Sequence, residues 1–379
     1  MKTTIPKDTL LSSLLRAGKF TTGIRVQNEN LGTFITLRKN EMVVSGIQET
    51  RFFQEKIVCE TDAQDESTFA TDTKKLTEFL QNVGSAEIHV SLESTGLRIS
   101  AEKTRALFPI AVRPEPPSIP QDKVGVVSLD PKVVLATLPQ LLFCVAADSA
   151  RPTLSSIKCI PQDGNRVLFI TTDGFRLSIV QTSLAAPIEK NLQIPAVFFR
   201  DVFHSVVDST QKVALVFHED ERISFQQKSV VVGTQLVGGD FPPYERVMVR
   251  NFTQNIVIAR DEFIQAIKTI AIFTREHSNI IVFEFTNKSF TVRPKKEAGG
   301  ENRTELSADI QGQEVSGLTL AFNYRYLLDF LSSVEDDFIT MRINRPDSPA
   351  LFLAGKLSPS DPHEGVSYQH IIMPVRIQE

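Results

Sequence analysis

Six histidines, at positions 89, 204, 218, 277, 363 and 370, and three cysteines, Cys59, Cys144 and Cys159, carry the most versatile side-chain chemistry in this sequence, and all are scattered singly. A zinc site asks for HExxH or paired CxxC, an elbow nucleophile for GxSxG, and a phosphate cradle for GxxxxGK[ST] or GxGxxG. None of these occurs in the 379 residues. Gly299-Gly300 sits in KKEAGGENR, a charged run typical of a solvated loop, and the acidic run Glu335, Asp336, Asp337 falls where the pattern predicts a turn. The expectation is a chain with no catalytic residues, no metal and no cofactor. Nucleotide hydrolysis has no motif behind it.

What remains is chemistry of recognition. Thr171-Thr172-Asp173-Gly174-Phe175-Arg176-Leu177-Ser178 sets an Asp-Gly turn between apolar strand residues, a spacing that predicts a tight hairpin. Three further segments combine turn formers, aromatic residues and arginine: Gly239-Asp240-Phe241-Pro242-Pro243-Tyr244-Glu245-Arg246-Val247, Phe322-Asn323-Tyr324-Arg325-Tyr326-Leu327, and Ile371-Ile372-Met373-Pro374-Val375-Arg376-Ile377. Read alone, most of their apolar residues are ordinary core.

The elements that must position these segments repeat. PKDTLLSSLL, DPKVVLATLP and RDEFIQAIKT share one apolar spacing, i, i+1, i+4, in Leu10, Leu11, Leu14, then Val134, Leu135, Leu138, then Phe263, Ile264, Ile267, at offsets of 124 and 129. That spacing puts one stripe on one helical face. A second set, DTKKLTEFLQNV, AVFFRDVFHSVV and NYRYLLDFLSSV, aligns on Phe79, Phe203 and Phe330 at offsets of 124 and 127. Alternating strand-like stretches fill the text between and after the helices, so each copy reads helix, strands, helix, strands. Pro139 lies inside one helix and should kink it or end it early. Pro-marked breaks at RPEPPSIPQDK and FPPYERVMVRN divide the chain into domains 1–122, 123–250 and 251–379. The fold class is α+β, three tandem copies of a two-helix plus β-sheet unit.

Composition narrows the class further. Hydrophobic residues make up 41% and charged residues 23%, the balance of a folded globular chain. No apolar run is long enough to span a membrane, and three cysteines predict a reducing cytosolic setting with no disulfide framework. Net charge is −4, so any contact with nucleic acid depends on local placement of charge. Polar helix faces offer Arg16, Lys19, Lys74, Lys75, Arg200, His204, Arg275 and Arg325, which serve equally as solvated surface. With 26 Phe and no Trp, the aromatic set suits packing better than base stacking.

Taken in order, the T-D-G-x-R-L turn, the F-P-x-Y-x-R-V boundary, the F-N-x-x-Y-L helix and the M-P-x-R terminal strand resemble those of the bacterial DNA polymerase III beta subunit family, the sliding clamps. The resemblance covers the second and third copies; in the first, GKFTTGIRVQNENLGTF departs from the family pattern. It implies a head-to-tail homodimer, six copies closing a ring around double-stranded DNA in the DNA clamp fold, working as a non-enzymatic processivity factor. Implied partners are DNA polymerase and a clamp loader, with repair polymerases, ligase and mismatch-repair proteins beyond them, and no membrane. A peptide-binding pocket is implied at Leu154, Thr172, Gly174, Phe175, Arg176, Leu177, Pro242, Arg246, Val247, Ser278, Asn323, Tyr326, Met373, Pro374 and Val375, with Arg176 and Arg246 available to peptide carbonyls or acids. Phe175 stands where relatives often have His, and Ser278 where a bulky aromatic can gate the cleft. DNA-facing residues by position are Arg25, Lys74 and Arg151; helical faces add Arg200 and Arg325. Dimer contacts are implied at Leu107 and Phe108 on one side and Ile272 and Phe273 on the other, positions that read equally well as core. The rival readings are a diverged paralogous clamp serving a specialised partner, and a non-clamp multi-domain enzyme or β-rich scaffold.

Overall fold

The structure, a computed structural model, describes residues 2–20, 25–26, 29–30, 33–62, 66–112, 119–147, 150–249, 251–274, 278–295, 302–361 and 367–377. The side chain of Arg25, together with Arg275, His277, Gly299, Gly300, His363 and most of the first Pro-marked break, lies outside the described residues.

All six expected helices are present: α1 (Lys7–Phe20), α2 (Thr73–Asn82), α3 (Pro131–Leu141), α4 (Ala196–Ser205), α5 (Arg260–Ala271) and α6 (Tyr324–Ser332). The repeated triplets bury their i and i+4 members, Leu10 and Leu14, Val134 and Leu138, Phe263 and Ile267, and leave the i+1 members half-buried. Two helices are capped as their sequences suggest: Asp72 Oδ1 accepts from Lys75 N at 3.1 Å and Asn323 Oδ1 from Arg325 N at 3.0 Å. Pro139 does not stop α3 at once. The helix runs on for two residues to Leu141 and then tightens into a 3₁₀ turn over Leu142–Cys144, so the proline, which lacks the N–H that would donate to the Leu135 carbonyl, lies within a turn of the helix end.

The chain divides into two compact units, residues 1–135 with 197–236, and residues 136–196 with 237–379. Within each unit one long antiparallel sheet joins strands of adjacent copies. In the first unit, nine strands run in the order Ile110–Val112, Ser67–Thr71, Thr33–Arg38, Glu41–Gln48, Arg51–Val58, Val230–Gln235, Arg222–Gln227, Val213–Phe217, Gly125–Leu129. The join is Arg51–Val58 on Val230–Gln235, with Phe53 opposite Val232 and Phe52 opposite Gly233. A Cβ on Gly233 would come within 2.6 Å of the Ile223 carbonyl oxygen and closer still to the Phe52 ring, so only glycine admits that ring. Phe20 of α1 stacks on Phe53 at 6.1 Å and meets Phe198 of α4 edge-on at 5.8 Å.

In the second unit the corresponding sheet runs Leu192–Pro195, Ser156–Pro161, Arg166–Thr172, Arg176–Ser183, Tyr368–Ile372, Ala350–Ala354, Phe338–Ile343, Gln254–Ala259, Asp309–Gly312. Its join is Arg176–Ser183 on Tyr368–Ile372, with Leu177 opposite Ile371 and Ser178 opposite His370. Each unit also holds a smaller antiparallel sheet. The first unit's five strands end at Thr104–Phe108, and the second unit's four strands begin at Thr304–Ser307. Phe263, Phe283, Phe290 and Phe322 form the aromatic core beneath α5.

Candidate functional site

The second join brings together most of the residues implied as a pocket. The turn after Arg166–Thr172 is tied four times: Gly174 N donates to Thr172 Oγ1 at 3.1 Å, Thr172 Oγ1 to the Arg176 carbonyl at 2.6 Å, and the amides of Phe175 and Arg176 to Asp173 Oδ1 at 2.9 and 3.1 Å. Gly174 takes φ +95°, a conformation that L side chains rarely adopt. The result is a rigid corner that turns Phe175 outward, 62% exposed, and Leu177 inward, 3% exposed.

Beside this corner, Met373 N donates to the Phe175 carbonyl at 2.9 Å and Val375 N to the Ala321 carbonyl at 2.8 Å, so the C-terminal segment bridges the corner and the strand leading into α6. Leu177 belongs to an apolar layer with Ile170, Ile179, Leu351, Leu353 and Ile371, onto which Phe241, Tyr244, Val247 and Met248 fold. Val375 packs on Ile280, Val282 and Ala321 and forms one side of a groove of about 580 Å³ with Glu284, Arg293 and Arg376. Met373, Pro374, Val375 and Tyr326 are half-buried, presenting apolar surface without closing it off. Leu154 is buried at the end of a turn in which its amide donates to the Arg151 carbonyl at 3.0 Å. Pro242 is half-buried, Asn323 caps α6, and Ser278 is exposed just after α5.

The two arginines differ. Arg246 is exposed and has no ion pair among the described residues. Arg176 is 9% exposed: its Nε donates to Asp173 Oδ2 at 2.9 Å, Nη1 to Asp329 Oδ2 at 2.6 Å and Nη2 to the Phe143 carbonyl, while its guanidinium lies 4.2 Å from the Tyr326 ring centre and 5.1 Å from that of Phe143. Burial works against its charge, and the hydrogen bond to Asp329 with the nearby anionic groups more than restores it, raising the pKa. Three of the five N–H donors of Arg176 are thus used within the chain, which sets it apart from Arg246 as a group for peptide carbonyls or acids.

Beneath it, His370 is fully buried, its Nδ1 2.9 Å from Ser178 Oγ and its ring stacked on Phe330 at 5.5 Å. Burial, and then the Arg176 charge, hold this imidazole well below its usual range. Cys144 in the adjacent 3₁₀ turn is buried, and its thiol is pushed up to about 12 by desolvation. The roles of Asp329, Phe143 and His370 escape sequence reading, whereas Asp173 is marked by its Asp-Gly turn; the Tyr326-to-Asp329 spacing of three residues on one helix is the one further local signal.

Among the cationic candidates, Lys74, Arg151 and Arg325 are exposed without ion pairs among the described residues. Arg200 pairs with Asp201 at 2.9 Å, Lys75 with Asp72 at 3.4 Å, and Arg16 forks onto Glu55 at 3.1 and 2.6 Å. Of the residues implied at the dimer contact, Leu107, Ile272 and Phe273 are 45%, 63% and 42% exposed, whereas Phe108 is buried against Phe79. Among the described residues, no three His, Cys, Asp or Glu side chains gather as a metal site, and no helix is long and apolar enough to cross a membrane.

Three two-helix copies, joined in pairs through shared antiparallel sheets and presenting half-buried apolar side chains beside one join, define a fold of the DNA-clamp class. A DNA polymerase sliding clamp from Bacillus subtilis superposes with a TM-score of 0.87 at 20% identity over the whole of both chains, and the DNA polymerase III beta subunit of Thermotoga maritima with 0.86 at 19%, again over the whole of both. The beta sliding clamp of Synechococcus elongatus is 24% identical over 257 residues, 66% of this chain and 65% of that protein, so the match spans slightly less than two thirds of the relative's length. Residues 128–243 match the family model of the DNA polymerase III beta subunit central domain, and residues 245–376 that of its C-terminal domain. The chain belongs to the DNA polymerase III beta subunit family.

Proposed function

We propose that this chain is a DNA sliding clamp, a processivity factor that encircles duplex DNA and tethers a replicative polymerase to its template. The observation that carries the reading is an imbalance in the sheets. Each copy contributes strands to two sheets, and each join inside the chain merges one sheet from each of two neighbouring copies. One sheet of the first copy, ending at Thr104–Phe108, and one of the third, beginning at Thr304–Ser307, are left with open edges. Different edges at the two ends favour a heterologous, head-to-tail contact, and closure with a second copy makes a six-domain ring. Exposed Leu107 on the first edge strand, and Ile272 and Phe273 just after α5, suit that contact. The proposed domains are 1–122, 123–250 and 251–379.

A closed ring holds DNA by topology, so it needs phosphate contacts that slide and no base contacts. Lys74, Arg151 and Arg325 suit that role, Arg200 more weakly because Asp201 shares its charge, and Arg25 by position alone. The surface around Leu177, Val247, Tyr326, Met373, Pro374 and Val375 is proposed to receive a short apolar peptide from the polymerase, the clamp loader and DNA-repair proteins, with Arg246 as its cationic anchor. The role is non-enzymatic and cytoplasmic. Light scattering of Leu107→Asp beside the unaltered chain tests the interface: a dimer that becomes a monomer is expected, and a dimer unmoved by the new charge would refute the contact.

A further inference from the structure

Arg176 lines the proposed pocket, yet each of its three nitrogens already donates within the chain and its guanidinium lies near the rings of Tyr326 and Phe143. A side chain kept for a ligand is expected to be accessible, as Arg246 is; one that holds a wall together is expected to be buried and bonded on all sides. Arg176 ties together three elements beside that pocket: the Asp173–Arg176 corner, the Leu142–Cys144 turn through the Phe143 carbonyl, and α6 through Tyr326 and Asp329. Tyr326 and Asp329 stand three residues apart on α6, so one helix face supplies both the ring beneath the guanidinium and the carboxylate at its edge.

We infer that Asp329, which no ligand needs to touch, is a positioning residue for the pocket: it fixes Arg176 as the post that holds the corner, the 3₁₀ turn and α6 in register. The inference rests on the pocket reading above. With Asp329 neutralised, a buried guanidinium would keep Asp173 as its one carboxylate partner, and the shared geometry would loosen at the corner first. Asp329 itself is 40% exposed, so its replacement leaves the core packing of α6 in place.

The test uses the full chain and two independent readouts. Hydrogen exchange is followed at the amides of Gly174, Phe175 and Arg176, and affinity is measured for a fluorescent octapeptide containing a Leu-Phe pair, made once with neutral flanks and once with a flanking Asp. For Asp329→Asn the expectation is about fivefold faster exchange at the corner and about tenfold weaker binding of both peptides, with the salt dependence unchanged. Asp329→Glu should recover most of both. Arg246→Ala, by contrast, should weaken only the acidic peptide and flatten its salt dependence. Unchanged corner exchange in Asp329→Asn overturns the inference, as does faster exchange with undiminished affinity. If the unaltered chain binds neither peptide while corner exchange still rises, the pocket reading fails and the hold of Asp329 on the corner stands. Should Asp329→Asn not fold, Asp329→Glu must still show exchange above the unaltered chain, and identical exchange overturns the inference.

Discussion

The chain makes the same kind of join twice, with different materials. Where Arg51–Val58 meets Val230–Gln235, the contact is dominated by Phe52, Phe53 and Val232 fitted around Gly233, with one forked ion pair, Arg16 to Glu55, at its margin. Where Arg176–Ser183 meets Tyr368–Ile372, a buried Ser178–His370 pair sits at the middle of the register and the Arg176 guanidinium with two carboxylates stands at its end pair, beside the apolar Leu177 and Ile371. An apolar join tolerates little change of volume but asks for no hydrogen-bond accounting. A polar join costs desolvation at every unpaired group and in return specifies one geometry. The polar investment lies beside the groove proposed to bind partners, where geometry has to be held; the apolar join serves only to hold.

The largest effect that tests this contrast is expected from Met373→Ala combined with Pro374→Ala. Peptide binding should fall by about 3 kcal/mol or more, below detection in a fluorescence titration, while light scattering reports the same oligomer. Unchanged peptide affinity would remove the pocket assignment. Gly233→Ala should come next, lowering stability by roughly 1–3 kcal/mol in a denaturant titration through overpacking against Phe52 and the Ile223 carbonyl, with peptide affinity unaltered. A neutral outcome there would mean that the apolar join is looser than described.

The third prediction concerns pH. His370 is held neutral by burial and by Arg176, so its folded pKa lies below its unfolded value of about 6.5. Its stabilising contribution is complete above that pH and declines as pH falls towards the folded value, by up to about 1.4 kcal/mol per pH unit. Denaturant titrations from pH 8 to pH 5 should show this slope, and His370→Gln should remove it. The strands of the apolar join, Arg51–Val58 and Val230–Gln235, contain no histidine. The smallest effects are expected from Lys74→Ala, Arg151→Ala and Arg325→Ala, each reducing the salt slope of DNA binding by about 1. A variant that changes affinity without changing the slope would not be touching phosphate.

Much of this architecture is legible in the residues alone. The i, i+1, i+4 triplets identify three helices at nearly constant offsets, and their burial follows because a helix stripe has only one core to face. The joins are not legible, since Phe53 and Val232 lie far apart in the chain and a strand's partner leaves no trace in its own alternation. The Asp-Gly corner can be read from Asp173 and Gly174, but the fate of Arg176 cannot. Whether an arginine is offered or consumed depends on Phe143, Tyr326 and Asp329, which arrive from separate elements. His370 hides for the same reason, being one histidine among apolar strand residues until Ser178 and Phe330 are placed beside it.

The most direct test of the clamp reading is retention of the protein on nicked circular DNA, loaded by its loader, before and after a single cut linearises the circle. Topological holding predicts a stable complex on the circle that is lost once DNA ends are free to pass through the ring. Retention that is indifferent to the cut, or a protein that is monomeric at micromolar concentration, would contradict it.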